Sequence, residues 1–565
     1  MTQKTKWLAA LALPVLCGVG ATRALAQSLA PGERPSDRPL EVPGPGVEPP
    51  SPLTLPPLPP PREADRDRPS AGRRVLVSAF RVTGSTVFSP ETFDMALAPW
   101  TGREIASEEL LAARDAVTLL YVQRGYVNSG AIIPDQKIEA GVVELRVVEG
   151  RLADVEIGGN RWFRTGFLRR RIEHGIDTPL DANALAARLE RLQEDPRFAR
   201  LNAELVPGAR PGEALLRVRV EERPPWHLAF ETDNYVAPSI GAYQGQVFAS
   251  FDNVIGWGDT VAASFAGTAG LRDVEASYSI PVTPWDTSLA LRYRRSTSDV
   301  VEHPFDELDI SGRTQTYGVE IAQPVWSARG VSAGLSLAAE HRSSDTFLFG
   351  DPFSFTPGIE DGRTRITVLR FAQDFTWRDA TQVLAARSML SFGLHAADQP
   401  DEDALDAHFF VWLGQLQYVR RFESLLGTEL VVRADAQLTP NALYPIEQFS
   451  LGGATSVRGY RENEVVRDQG ALASIEARIP VFHSAGDRVR IQLAPFVDCG
   501  RSWSAGGNTF GQQWLSSIGI GLRGSFLQRI DAEIYWAARL NDVEEPEDWD
   551  LQDSGVQFRV TVAVF

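Results

Sequence analysis

The stretch "RIDAEIYWAARL", residues 529–540, decides the fold. Ile530, Ala532, Ile534, Trp536, Ala538 and Leu540 share one parity, and Arg529, Asp531, Glu533, Tyr535, Ala537 and Arg539 the other. A period of two makes this a β-strand with one greasy and one charged face. The pattern recurs in RDVEASYSI, where Val274, Ala276, Tyr278 and Ile280 oppose Asp273, Glu275, Ser277 and Ser279. It returns at the C-terminus, where Val556, Phe558, Val560, Val562 and Val564 oppose Gln557, Arg559 and Thr561. From Pro224 onward no strong helical face interrupts it.

A soluble sandwich or propeller also alternates, so strand length has to decide. Soluble strands run to about five or six residues, whereas spans such as 529–540 approach the roughly 9 to 11 that cross a bilayer. Ile280-Pro281-Val282, Gln323-Pro324-Val325 and Ile479-Pro480-Val481 each read as the end of a strand at a short turn, while connections such as NDVEEPEDWDLQDSG are long and polar. Short turns at one end and long loops at the other describe an outer-membrane barrel. Residues 224–565 are assigned to it, greasy parity toward lipid and charged parity toward the lumen.

Working toward the N-terminus, residues 75–150 read as strand, helix, helix, strand, strand, with Ser89-Pro90 opening one helix and Gly125 closing the next. Residues 151–223 repeat the order, so the chain carries two α+β modules in tandem. Residues 27–74 form a linker; 13 prolines between Pro31 and Pro61 make it stiff and extended. Lys4 and Lys6 precede an apolar run closed by Ala24-Leu25-Ala26, so residues 1–26 read as a secretory signal peptide.

The net charge of -17 falls to -20 once that segment, with Lys4, Lys6, Arg23 and no acid, is removed. That sign disfavours a nucleic-acid partner. Only Cys499 then remains, so no intrachain disulfide forms. No stretch approaches 18 consecutive apolar residues, which excludes helical membrane spans.

One excursion breaks the strand pattern. "LGGATSVRGYRENEVVRDQG", residues 451–470, is glycine-rich and charged, with Arg458 between Val457 and Gly459. In VRIQLAPFVDCG, parity sends Val489, Ile491, Leu493 and Val497 to lipid, and Arg490, Gln492, Phe496 and Asp498 inward. An inward-folding loop could therefore set Arg458 against the Asp498 carboxylate, a pairing with two parallel hydrogen bonds. From residue type alone, a solvated Arg458 stays open as the alternative.

Two α+β repeats, a barrel, Val457-Arg458-Gly459-Tyr460 in a glycine-rich loop and Phe496-Val497-Asp498 on a later strand resemble the outer-membrane transporters of two-partner secretion, the haemolysin and filamentous-haemagglutinin secretion proteins. The resemblance implies two periplasmic polypeptide-transport-associated (POTRA) domains and a 16-stranded antiparallel barrel. It also implies that the sixth extracellular loop enters the lumen and locks through Arg458 and Asp498, with Gly452, Gly453, Val457, Gly459, Tyr460 and Phe496 in support. The implied partners are a large secreted exoprotein taken in extended form, outer-membrane lipid and the barrel-assembly machinery, with the transporter a monomer and no cofactor. Phe565 is the expected assembly signal, although it falls on the opposite parity to Val562 and Val564. Because prolines rule out a long helix between Pro31 and Pro61, any lumen plug is expected at Glu63 to Arg68 or not at all.

Enzymatic readings find no support in the residues. Gly519-x-Gly521-x-x-Gly524 matches a dinucleotide fingerprint, but a strand follows it instead of a helix. A Walker loop needs a lysine, and after processing only Lys137 in DQKI remains. The histidines show no metal-ligand spacing, and no G-x-S-x-G elbow is present. The alternatives are an insertase of the same superfamily, which usually carries more POTRA repeats, a passive porin, which has no need of such modules, and a soluble adhesin.

Overall fold

The computed structural model describes residues 34–38, 40, 74–328, 330–355, 359–394, 405–484, 486, 488–507, 509, 511–543 and 548–564. The signal peptide, the segment Glu63 to Arg68 and Phe565 lie outside the described residues. The chain divides into two units, one of residues 50–223 and one joining residues 1–49 to 224–565.

In the first unit each repeat builds a three-stranded sheet under two helices. Ala79–Thr83 runs parallel to Val142–Val148, which pairs antiparallel with Gly130–Ile132. In the second repeat Arg151–Gly158 runs parallel to Glu213–Glu222, itself antiparallel to Phe198–Pro207. The last strand is central both times, which leaves two edges per sheet. Helices Pro90–Leu97 and Ser107–Gln123 cover the first sheet, and Thr165–Glu173 and Ala182–Gln193 the second. Val117 and Tyr121 point into the first core, and Leu185, Leu189 and Leu192 into the second, at helical spacing. Burial pushes the Tyr121 phenol up to about 12. It therefore stays protonated and donates to Ser85 Oγ at 2.6 Å.

The sequence VLVSAFRVTG is not one strand. Arg74–Val77 pairs with Arg103–Ala106, and the chain breaks at Ser78 before entering the main sheet at Ala79. Ser78 N donates to Gly141 O at 2.8 Å, which holds the kink. No spacer separates the two repeats. Asn128 Nδ2 donates to Gly212 O at 3.0 Å, Leu180 N to Gly150 O at 2.7 Å and Ala182 N to Gly125 O at 2.9 Å.

In the second unit, sixteen antiparallel strands among the described residues close a barrel in chain order. It is sealed where the first strand, Trp226–Asp233, meets the last, Val556–Ala563. Residues 379–381, 423–427 and 527–529 make tight turns at one end, while 234–243, 300–310 and 439–468 make long connections at the other. Parity sorts the side chains as the alternation requires. Val274, Ile534 and Trp536 are 43%, 48% and 52% exposed on the outer face, whereas Asp273 and Glu275 are 2% and 0% exposed within. Inward charges are neutralised across the wall, as between Arg294 Nε and Asp273 Oδ1 at 2.8 Å and between Arg523 Nη1 and Glu533 Oε2 at 2.6 Å.

Two of the three proline signals do not end strands. Pro281 does, but Ser311–Ala328 and Gln469–His483 continue past Pro324 and Pro480 through register shifts at Pro324/Trp326 and Pro480/Phe482. Proline cannot donate to the ladder, and a bulge absorbs the missing bond without stopping the strand.

The expectation for a plug is corrected too. Part of the proline-rich stretch itself sits in the lumen, as a 3-10 turn, Pro35–Asp37. Arg34 Nε donates to Pro445 O at 2.9 Å and its Nη1 to Asn463 Oδ1 at 3.0 Å. Ser450 Oγ donates to Asp37 Oδ1 at 2.6 Å, and Gln415 Nε2 to Arg38 O at 2.9 Å. A single turn with proline at its first position needs no long helix, and barrel and loop groups supply its polar partners. A cavity of about 490 Å³ remains beside it, lined by Pro35, Arg38, Arg292, Glu340 and Arg370 among others.

Candidate functional site

The strands Thr428–Leu438 and Gln469–His483 are joined by the sixth connection at the long-loop end, residues 439–468. The excursion thus begins a dozen residues before Leu451 and ends before Gly470, which is already a wall residue paired with Gln437. Its glycine is needed there, because a Cβ would overlap the ring of Phe449 from the loop. Inside the lumen the loop makes a turn, Pro445–Glu447, and a short ribbon of Phe449–Leu451 with Val465–Arg467. Gly452, Gly453 and Gly459 have φ of 100°, 106° and 93°, a region open to glycine and strained for other residues. Val457 and Tyr460 are fully buried with Leu451 and Leu515. Tyr460 Oη donates to Ser516 O at 2.8 Å, which ties the loop to the wall.

Arg458 reaches the wall between these anchors. Its Nε and Nη2 donate to the two oxygens of Asp498 at 2.8 Å and 2.9 Å, and its backbone N adds a bond to Oδ2 at 3.1 Å. Nη1 engages Glu476, and Ser474 Oγ donates to Asp498 Oδ1 at 2.6 Å. Asp498 is completely buried. The guanidinium lies over the Phe496 ring, 3.5 Å from its centroid, and 4.8 Å from that of Tyr535, the two rings meeting edge to face. A planar, delocalised cation gains from such faces as well as from the carboxylates.

Two glycines of the decoy fingerprint make room for those rings. A Cβ at Gly519 would overlap Phe496, and one at Gly521 would overlap Tyr535. Arg458, Asp498 and Phe496 meet in one place with Val457 and Tyr460 packed in the same loop, whereas Gly452 and Gly453 lie against Arg461, Glu462 and Glu464 of the loop itself. Sequence reasoning missed Glu476, Ser474 and Tyr535. Lumenal parity marks all three, but it marks every second residue of every strand equally. Only the stagger between strands selects those that face the loop.

The arrangement holds a loop in the lumen by buried charge, and among the described residues no group of three or more His, Cys, Asp or Glu side chains could hold a metal ion. The family model described as "Haemolysin secretion/activation protein ShlB/FhaC/HecB" matches residues 212–524, and that of the "POTRA domain, ShlB-type" matches residues 75–150. The outer membrane transporter CdiB of Escherichia coli is 24% identical over 453 residues, 76% of this chain and 73% of the relative. The haemolysin transporter protein ShlB of Serratia marcescens is 26% identical over 262 residues, covering 44% of this chain and 45% of the relative. The solved CdiB of Escherichia coli superposes with a TM-score of 0.65 at 21% identity, over 98% of this chain and all of that one. BamA from Haemophilus ducreyi, solved without POTRA domains 1–3, shares the fold at a TM-score of 0.53 and 15% identity, over 86% of this chain and 99% of its own. The chain belongs to the haemolysin secretion/activation family, the outer-membrane transporters of two-partner secretion, with its POTRA domains in the periplasm.

Proposed function

We propose that this transporter exports a large exoprotein through the barrel lumen, and that the Arg458 anchor holds the inward loop in place between transport events. The partner is captured in extended form by adding a strand to an open POTRA sheet edge, of which each repeat offers two. It then passes a lumen that must first be cleared of the Pro35–Asp37 turn and part of the loop. The chain works as a monomer set into lipid by the barrel-assembly machinery; nucleic acid has no place in the process, and neither does catalysis.

The buried Arg458–Asp498–Glu476 cluster carries this reading. Its bonds are strong in place, yet they are hydrogen bonds and ion pairs that incoming water or a peptide can replace. Removing one partner from a buried pair costs about 3 to 5 kcal/mol. The wall does not depend on it, since the strand ladder closes without Arg458. Arg458→Ala is expected to leave a folded, heat-modifiable barrel in the outer membrane while the released exoprotein falls at least about tenfold, the equivalent of 1.4 kcal/mol. Immunoblots of membrane and medium check both arms, and unchanged export would refute the role of the anchor.

A further inference from the structure

We propose that Glu447 is a second anchor of the inward loop, with the charges reversed. This rests on the reading of the loop as a held element. At the tip, a loop arginine meets wall carboxylates. Eleven residues earlier, a loop carboxylate meets wall arginines. Glu447 Oε1 accepts from Arg342 Nη1 and from Arg370 Nη2, both at 2.7 Å, and Oε2 accepts from Arg370 Nη1 at 3.1 Å. Arg342 Nη1 also donates to Ile446 O at 3.0 Å, and Gln437 Nε2 to Glu447 O at 2.9 Å. Arg370 is itself fixed by Glu340 at 3.0 Å and Ser391 at 2.9 Å. Glu447 is 2% exposed and the two arginines 4% and 5%.

The two anchors stand on different parts of the wall. Arg342 and Arg370 belong to Val331–Leu348 and Arg363–Arg378, whereas Asp498 and Glu476 belong to Val489–Trp503 and Gln469–His483. Three strands lie between the two pairs in the sheet order. A loop fixed at one point can pivot, and a loop fixed at two separated points cannot. Glu447 is thus a positioning residue: it touches no part of the tip, yet it limits where Arg458 can go.

Accessibility of the tip tests this. Ser456 neighbours the motif, and its hydroxyl makes no hydrogen bond among the described residues, so Ser456→Cys removes no bond. It is placed in a Cys499→Ala background and labelled on whole cells with a membrane-impermeant maleimide. Glu447→Gln is expected to raise the labelling rate at least about tenfold, and combination with Arg458→Ala should give the product of the two single effects, as independent anchors of one body require. Arg342→Gln, which leaves Glu447 one arginine, should give a smaller rise and keeps the test decisive if Glu447→Gln fails to fold. An unchanged rate in folded Glu447→Gln or Arg342→Gln barrels would overturn the proposal, as would a double variant no faster than Arg458→Ala alone. Secretion is scored separately. Faster labelling with normal export would keep the anchor and reject the role given to the loop in transport; slow labelling rejects the anchor whatever export does.

Discussion

Residue by residue, the site was legible to the extent that parity and motif overlap. Arg458 stood out because the glycine-rich, charged excursion that holds it between Val457 and Gly459 interrupts a strand pattern, and Asp498 because alternation in VRIQLAPFVDCG sends it inward. Glu476 could not be picked from the other inward acids, and Glu447, in the loop, carries no strand parity at all; their partners are set by the stagger of the barrel, which is not written in any one strand. Gly519 and Gly521 show the reverse case. Their spacing caught the eye for the wrong chemistry, and the structure gives the reason as the absence of side chains beneath Phe496 and Tyr535. Gly521→Val is therefore expected to push the Tyr535 ring off Arg458 at about 1 to 3 kcal/mol, the usual range for overpacking. Tyr535 also bonds Arg523 at 2.7 Å, so the ring has little freedom to yield. Lowered secretion from a barrel of wild-type abundance checks this, and Gly524→Val, at the opposite parity, serves as the control.

At the scale of elements, the strand ladder, the loop and the tandem repeats follow from periodicity and glycine content, while the breaks do not. Ser78 gives no local signal that VLVSAFRVTG serves two sheets, since its partner Gly141 lies far along the chain. Pro324 and Pro480 read as stops because a single sequence cannot distinguish a bulge from an end. The turn at Pro35–Asp37 was hidden in a composition that signals extended chain, and only the lumen supplies its partners. The POTRA repeats bear on partner choice. Residues 75–150 hold a complete core of their own, with Phe93, Val117, Tyr121 and Leu145 buried. Deleting them is expected to abolish export of the exoprotein while leaving the barrel inserted. Membrane fractionation with an assay of the medium checks this; continued secretion would assign capture elsewhere.

For the whole molecule, sidedness is the governing fact. Exposed Phe230, Ile475, Ile518 and Trp536 form an outer face that water would not tolerate, and Asp498, Glu476 and Arg370 an inner one that lipid would not. Trp536→Arg, on the lipid-facing parity, is expected to destabilise the barrel by up to about 2 to 4 kcal/mol, the range for an arginine at the bilayer midplane. Urea titration of the barrel refolded in liposomes measures the loss. The inward substitution Ser336→Arg, on the wall of the lumen cavity, should show no such depth-dependent penalty, because it never meets hydrocarbon.

The turn near the N-terminus also bears on the order of assembly. Arg34 bonds Asn463 across 429 positions of sequence. Contacts of such separation form late, because the closure entropy must be met before they are rewarded. The cylinder and its inward loop therefore come together first, and the leading segment returns last to fill the space beside them.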